Sequence, residues 1–149
     1  LTFVGRGWTI GLASEAALKL RESAQFWTES YPAMEYRHGP ISIATTGRRT
    51  GEPRRTCLIY GTSGEDFVVV ASKGGADEDP AWFKNLQADP SVGVQVGTRR
   101  FTAHARVASS AERERLWAQM ARLFPLYDEY AQKTDREIPI VLLTPSSTI

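Results

Sequence analysis

The chain has 149 residues, of which 42% are hydrophobic, and a formal net charge of +1. That is the length of one ordinary domain with enough apolar material for a core, and so small a charge excludes a global pull toward nucleic acid or acidic membranes. The one cysteine, Cys57, excludes an internal disulfide and suits a reducing cytoplasm, and no apolar run approaches the ~20 residues that span a bilayer.

Thr2-Phe3-Val4 running into Gly5-Arg6-Gly7 predicts a strand and a turn. Ser14 is a good N-cap, and Ala17, Leu18 and Phe26 share an apolar stripe, which predicts a helix over residues 14–27. Tyr31-Pro32 and His38-Gly39-Pro40 break it. Ile41 and Ile43 then alternate with small residues until Thr45-Thr46-Gly47 turns the chain. A strand is predicted over 55–61, a hairpin turn at Ser63-Gly64-Glu65-Asp66, and a further strand over 67–72. Lys73-Gly74-Gly75 ends that strand. Asp79 as cap, with Pro80 at the first helical position, opens a helix through Ala88. Val92, Val94 and Val96 mark a strand, Gly97-Thr98 a turn, and 101–107 the antiparallel return. Ser109 or Ser110 caps a helix over 111–124, in which Leu116, Met120, Leu123 and Phe124 keep helical spacing. A short helix follows over 126–133. The last strand, 138–143, contains Pro139, which suggests a sheet edge or a strand start. Short, mostly antiparallel strands with helices between the hairpins imply an α+β fold built on a barrel-like sheet flanked by helices.

Two clusters carry chemistry. In Thr45-Thr46-Gly47-Arg48-Arg49-Thr50-Gly51-Glu52-Pro53-Arg54-Arg55, two glycines allow tight turning with exposed backbone N–H groups. Guanidiniums crowded on one hairpin repel each other unless an anion lies among them, and their planar forks suit phosphate. The bland alternative is a solvated turn that keeps a sheet edge from aggregating. In Ala71-Ser72-Lys73-Gly74-Gly75, a hydroxyl, an ammonium and backbone donors end an apolar strand, where they could meet a flat heterocycle or its tail. The bland alternative is an ordinary strand-end turn. Asp77, Glu78 and Asp79 already answer the dipole of the next helix, which argues against a phosphate resting on that end. His104, on an alternating strand, has no partner at metal spacing, so no metal site is expected. Cys57 reads as a small core residue.

These clusters, with Val70-Ala71-Ser72-Lys73-Gly74-Gly75, Pro80-Ala81-Trp82-Phe83-Lys84-Asn85-Leu86-Gln87-Ala88-Asp89-Pro90, Thr102-Ala103-His104-Ala105-Arg106, Phe124-Pro125-Leu126-Tyr127-Asp128-Glu129-Tyr130 and Lys133-Thr134-Asp135-Arg136-Glu137-Ile138-Pro139, resemble the deazaflavin (coenzyme F420)-dependent nitroreductase and quinone reductase family. The resemblance covers residues 45–149. It implies a split β-barrel and assigns roles. Arg48, Arg49 and Arg54, with Thr50 beside them, hold the coenzyme's phosphate and acidic glutamyl tail. Ala71, Ser72 and Lys73 face the deazaflavin or the start of its tail, and Trp82 packs near it. Phe124, Tyr127 and Tyr130 line the acceptor pocket. Tyr127 and Ser72 are the candidate catalytic donors toward a quinone, nitro or activated-alkene acceptor. Two departures stand out: Cys57 occupies a position where the family commonly has proline, and Phe124 replaces a tyrosine.

Residues 1–44 resemble a different family. Val4-Gly5-Arg6-Gly7, Glu15-Ala16-Ala17-Leu18-Lys19-Leu20-Arg21-Glu22 and the stretch from Glu29 to Pro40 are similar to part of a sugar isomerase (SIS) domain. In that family the positions matching Lys19 and Glu22 serve proton transfer, and the one matching His38 assists ring opening. A strand, a helix and a loop cannot build that site, because general acid–base catalysis needs positioned partners. The chain therefore reads as a chimera, with residues 14–27 as a surrogate helix and 41–44 completing the first sheet strand.

The leading expectation is a cytoplasmic F420H2-dependent reductase, at most peripheral to the inner face of the membrane. It would act on a small-molecule acceptor with no nucleic-acid partner. The alternatives are an FMN-binding reductase on a similar barrel, a cofactor-binding module without turnover and, last, a sugar-phosphate isomerase. The physiological acceptor and the oligomeric state do not follow from the sequence.

Overall fold

The computed structural model describes residues 2–5, 29–32 and 41–148, with side chains over 41–146. The chain divides into two units, Leu1–Gly39 and Pro40–Ile149. In the first unit β1 (Thr2–Gly5) pairs in parallel with β2 (Glu29–Pro32). The β1 segment is the strand that its β-branched and aromatic residues predict. The β2 segment covers Tyr31-Pro32, which reads from sequence only as a helix breaker; proline is tolerated in a strand where its missing N–H faces no ladder partner. The helix expected over 14–27, with Lys19 and Glu22, lies outside the described residues, as does His38.

The second unit is one seven-stranded sheet. Its strands are β3 (Ile41–Thr46), β4 (Pro53–Leu58), β5 (Tyr60–Ser63), β6 (Asp66–Val70), β7 (Ser91–Val96), β8 (Arg99–Val107) and β9 (Ile140–Thr148). They lie in the order β4-β3-β7-β8-β9-β6-β5, and every ladder is antiparallel. Three helices flank it: α1 (Ala81–Ala88), α2 (Ser110–Leu123) and α3 (Leu126–Gln132). This is the expected α+β, antiparallel class.

The expected barrel needs correction. The two edges, β4 and β5, share no ladder, so hydrogen bonds do not close the sheet. Yet only Ile59 separates β4 from β5 along the chain. Opposite edges one residue apart require a strongly coiled sheet, as right-handed strand twist favours. The covalent chain, rather than a ladder, spans the gap. The single strand expected over 55–61 is therefore two edge strands meeting at Ile59.

Side-chain alternation explains the packing. Ile41, Ile43, Val69, Val94, Val141 and Leu143 face one core, which Trp82, Phe83 and Leu86 of α1 complete. On the opposite face Val68, Val70, Ile140 and Leu142 are also buried, and α2 packs over β5 and β9 on its Leu116 and Met120 side. The strands β6 and β9 are thus covered on both faces, which is why they read as unbroken apolar runs. Gly61 shows how closely α2 approaches: a Cβ there would lie 2.8 Å from Met120 Sδ.

Other local expectations resolve in physical terms. The strand β9 is interior, between β8 and β6, so of the two readings of Pro139 the strand start holds. Pro139 lies just before the ladder, and its carbonyl accepts the Ala71 N–H at 2.9 Å. A second proline, Pro145, is absorbed where the β8–β9 register shifts at Thr102/Ala103. Ser109 is the N-cap of α2, and the Glu112 carboxylate reaches back to its N–H at 3.0 Å and its hydroxyl at 2.8 Å. The first helix begins one residue later than expected: Pro80, with an extended ψ of 149°, is the N-cap of α1. Cys57 is exposed, not a core residue, because it shares the outward face of β4 with Arg55 while Thr56 and Leu58 lie opposite buried Ile43 and Ile41. Among the described residues no helix is long and apolar enough to cross a membrane.

Candidate functional site

The arginine cluster lies on the β3–β4 hairpin. Gly47 donates its N–H to the Glu52 carbonyl at 2.8 Å and accepts at its own carbonyl from Thr50 and Gly51, at 3.2 and 2.7 Å. Gly51 has φ +71°, a conformation that suits glycine. The loop is anchored from inside. Asn85 of α1 is only 5% exposed; its Oδ1 accepts the Arg48 backbone N–H at 3.2 Å and its Nδ2 donates to Thr45 Oγ1 at 3.1 Å. Thr45 is itself buried. Its hydroxyl lies 3.5 Å from the Arg54 carbonyl, at the outer limit of a hydrogen bond. The backbone is thus held from the interior while the side chains of Arg48, Arg49, Thr50 and Arg54 remain exposed. Arg54 pairs with Glu52 at 3.2 Å, both well solvated, so the pair contributes little stability. Alternation puts Arg54 on the face of β4 that continues the Ile43–Thr56 row and Arg55 on the other.

The second cluster leaves β6 through Ala71, buried, and Ser72 and Lys73, half-buried. A short 3-10 turn covers Lys73–Gly75. Lys73, Gly74 and Gly75 all have positive φ, at 48°, 66° and 81°; for lysine this is a strained backbone. Gly75 is required on a second count, because a Cβ there would lie 2.8 Å from the Tyr130 carbonyl oxygen. The turn therefore packs directly against α3. The Lys73 ammonium lies 3.3 Å from Glu78 Oε2, and Lys84 of α1 approaches the same oxygen at 3.9 Å. The first helix touches one cluster through Lys84 and Glu78 and the other through Asn85.

The third group is aromatic. Phe124 and Tyr127 are buried, 2% and 5% exposed, with rings edge-on at 4.9 Å. Tyr130 is half-buried and lies 6.1 and 6.4 Å from them, with the Lys133 ammonium 5.3 Å from its ring centroid. Trp117 flanks Tyr127 at 6.3 Å and donates its indole N–H to Asp128 at 2.8 Å. Trp82 is 7% exposed and belongs to the core beneath α1.

The sequence profile of a family described as F420H(2)-dependent quinone reductase matches residues 19–145. The chain belongs to the F420H2-dependent quinone reductase family. An F420H2-dependent quinone reductase of Mycobacterium tuberculosis is 39% identical over 107 residues, covering 70% of this chain and 72% of that protein. A solved F420-H2-dependent reductase superposes with a TM-score of 0.66 at 35% identity, covering 72% of this chain and 94% of the other. The second resemblance is present too. A glutamine–fructose-6-phosphate aminotransferase (isomerizing) of Sulfurisphaera tokodaii is 49% identical over 45 residues, which is 30% of this chain and 8% of that enzyme.

Family membership makes the protein an oxidoreductase and sets the sugar-phosphate isomerase reading aside, since the similarity to aminotransferases spans so small a share of them. The FMN alternative likewise has no support in a family named for F420H2. Within the family frame two residues stand out that motif reading does not single out. Asn85 and Arg136 both bond to backbone groups far away in sequence, 37 positions for Asn85 to Arg48 and 60 to 65 for Arg136 to the carbonyls of Ala76, Ser72 and Ala71. The sequence signal for either is no more than membership of a longer motif, in which Asn85 follows Lys84 and Arg136 lies between Asp135 and Glu137.

Proposed function

We propose that the protein binds reduced coenzyme F420 and passes its reducing equivalents to a quinone, with nitro groups and activated alkenes as further acceptors. The observation that carries this is the exposed guanidinium group on a hairpin whose backbone is fixed from the interior by Asn85. Such a loop offers charge and bidentate donors without having to order itself on binding. It fits a phosphate-and-glutamyl tail, and Arg48, Arg49 and Arg54 with Thr50 are the residues that hold it. Ala71, Ser72 and Lys73 face the ring system or the start of the tail. Trp82 supports it from the core.

When bound, the reduced deazaflavin supplies a hydride. A quinone that takes up a hydride also takes up a proton. A free phenol has a pKa near 10, so a tyrosine hydroxyl is protonated at neutral pH and can stabilise or protonate a developing oxyanion. Tyr127 and the Ser72 hydroxyl are the donors proposed for that role. Phe124, Tyr127 and Tyr130 form the aromatic wall against which a flat acceptor stacks. Phe124 has no hydroxyl, so it contributes shape alone.

The test is a fluorescence titration with coenzyme F420 of the wild-type chain and of Arg48→Ala and Arg54→Ala. Each variant is expected to bind on the order of tenfold more weakly, the cost of one charge-assisted hydrogen bond. Added salt should weaken the wild type further. Undiminished affinity in both variants would reject the arginine hairpin as the tail site, and binding without acceptor reduction would leave a binding module.

A further inference from the structure

Arg136 is a charged residue whose side chain is only 15% exposed. Its donors run outward in different directions and all of the resolved contacts fall on one loop. Nε donates to the Ala76 carbonyl at 2.7 Å. Nη1 donates to Asp79 Oδ1 at 2.8 Å. Nη2 donates to the carbonyls of Ala71 and Ser72, both at 3.0 Å. These acceptors bracket the left-handed run Lys73–Gly75 on both sides. Neighbouring contacts reinforce the clamp: the Thr134 hydroxyl donates to Asp77 Oδ1 at 2.9 Å and accepts the Arg136 N–H at 3.3 Å. A lysine in positive φ reverts to ordinary backbone unless its surroundings hold it, and Arg136 is the polar group placed to do so. The task needs a guanidinium. Its planar fork spans three carbonyls and a carboxylate at once, whereas an ammonium concentrates its donors on one atom.

We propose that Arg136 is a positioning residue for the coenzyme: from behind the site, without touching the ligand, it fixes the turn that aims Ser72 and Lys73. The inference rests on the F420 reading, and it adds that affinity depends on the shape of the 71–79 loop as well as on its side chains.

Arg136→Lys keeps the charge and loses the fork. Arg113→Lys is the matched control. Arg113 donates to the Ile138 carbonyl at 2.8 Å and pairs with Glu137 at 3.3 Å, so these contacts hold the same stretch of chain to α2 rather than to the Ser72 turn. Two readouts are taken on the full chain. The first is amide hydrogen exchange without coenzyme, at Gly75 and Ala76, whose N–H groups bond to the Ser72 and Lys73 carbonyls. The second is the F420 dissociation constant by fluorescence. The expected result is faster exchange at Gly75 and Ala76 and affinity lowered about tenfold in Arg136→Lys, the lower end of what supporting residues command around a bound group, with neither change in Arg113→Lys. Unchanged exchange would overturn the clamp. Faster exchange with unchanged affinity would overturn its bearing on the coenzyme. An equal loss of affinity in both variants would reduce Arg136 to general stability. If the wild type bound no F420, the coenzyme reading and this inference would fall together, and the exchange data would still show whether the clamp exists.

Discussion

At the scale of the residue, the site depends on polar side chains that act on backbone. Asn85 is one case: its amide oxygen accepts the Arg48 backbone N–H, while its amide nitrogen braces the buried Thr45 hydroxyl beneath the loop. Asn85→Leu is close in volume but removes the acceptor of the Arg48 N–H and the donor to the buried Thr45 hydroxyl, which keeps only its long contact to the Arg54 carbonyl. The expected loss is about 1–3 kcal/mol of stability, read from the denaturant midpoint. F420 affinity should also drop although every arginine is still present. Normal affinity in a destabilised variant would show that the hairpin keeps its shape without this anchor. The arginines were legible in the sequence because four of them fall within eight positions. Asn85 was legible only as part of a motif, because its partners come from a strand and loop 37 and 40 positions away. Cys57 departs from expectation for the opposite reason: its type favours burial, while its parity on β4 sends it outward.

At the scale of the element, helix ends make the sharpest statements. The Glu112 carboxyl of α2 is held well below the usual carboxylate range, first by the Arg106 guanidinium at 2.9 Å and then by the Ser109 N–H and hydroxyl. A depressed folded-state pKa contributes stability that is complete above the unfolded carboxylate value and is lost as pH falls through the folded one. The wild type should therefore be more stable than Glu112→Gln by a constant margin above about pH 4.5, and that margin should shrink steadily in more acid solution. Thermal unfolding from pH 7 to pH 2.5 checks this, and a margin that does not change with pH would mean that the capping carboxylate is unperturbed. The capping box follows from Ser109 and Glu112 at the right spacing. The helix α1 starts one residue later than cap chemistry at Asp79 predicts, because that carboxylate is taken by Arg136 at 2.8 Å, a partner no local rule reveals.

At the scale of the molecule, β9 ties the sheet together, pairing with β8 on one side and β6 on the other. Leu143 lies in its middle, fully buried, opposite Phe67 and Ala105. Leu143→Ala should cost about 2–5 kcal/mol. Because one strand joins both halves of the sheet, amide protection should fall together across β6, β8 and β9. Loss confined to β9 would indicate that the halves open independently.

The class, most of the elements and the family are legible from spacing along the chain, although the strand over 55–61 divides at Ile59. The antiparallel α+β class follows from alternating strands and short turns, the three helices of the second unit from apolar periodicity and caps, and the family from long motifs in register. Only the tertiary structure decided that the sheet stays open as a ladder while Ile59 carries the chain between its two edges. It alone decided that β9, which follows one proline and contains another, is interior, and that Asn85 and Arg136 hold the two loops of the candidate site. The physical reason is that strand order and buried hydrogen bonds join residues distant in the chain, and local periodicity carries no information about which distant carbonyl a buried donor will meet.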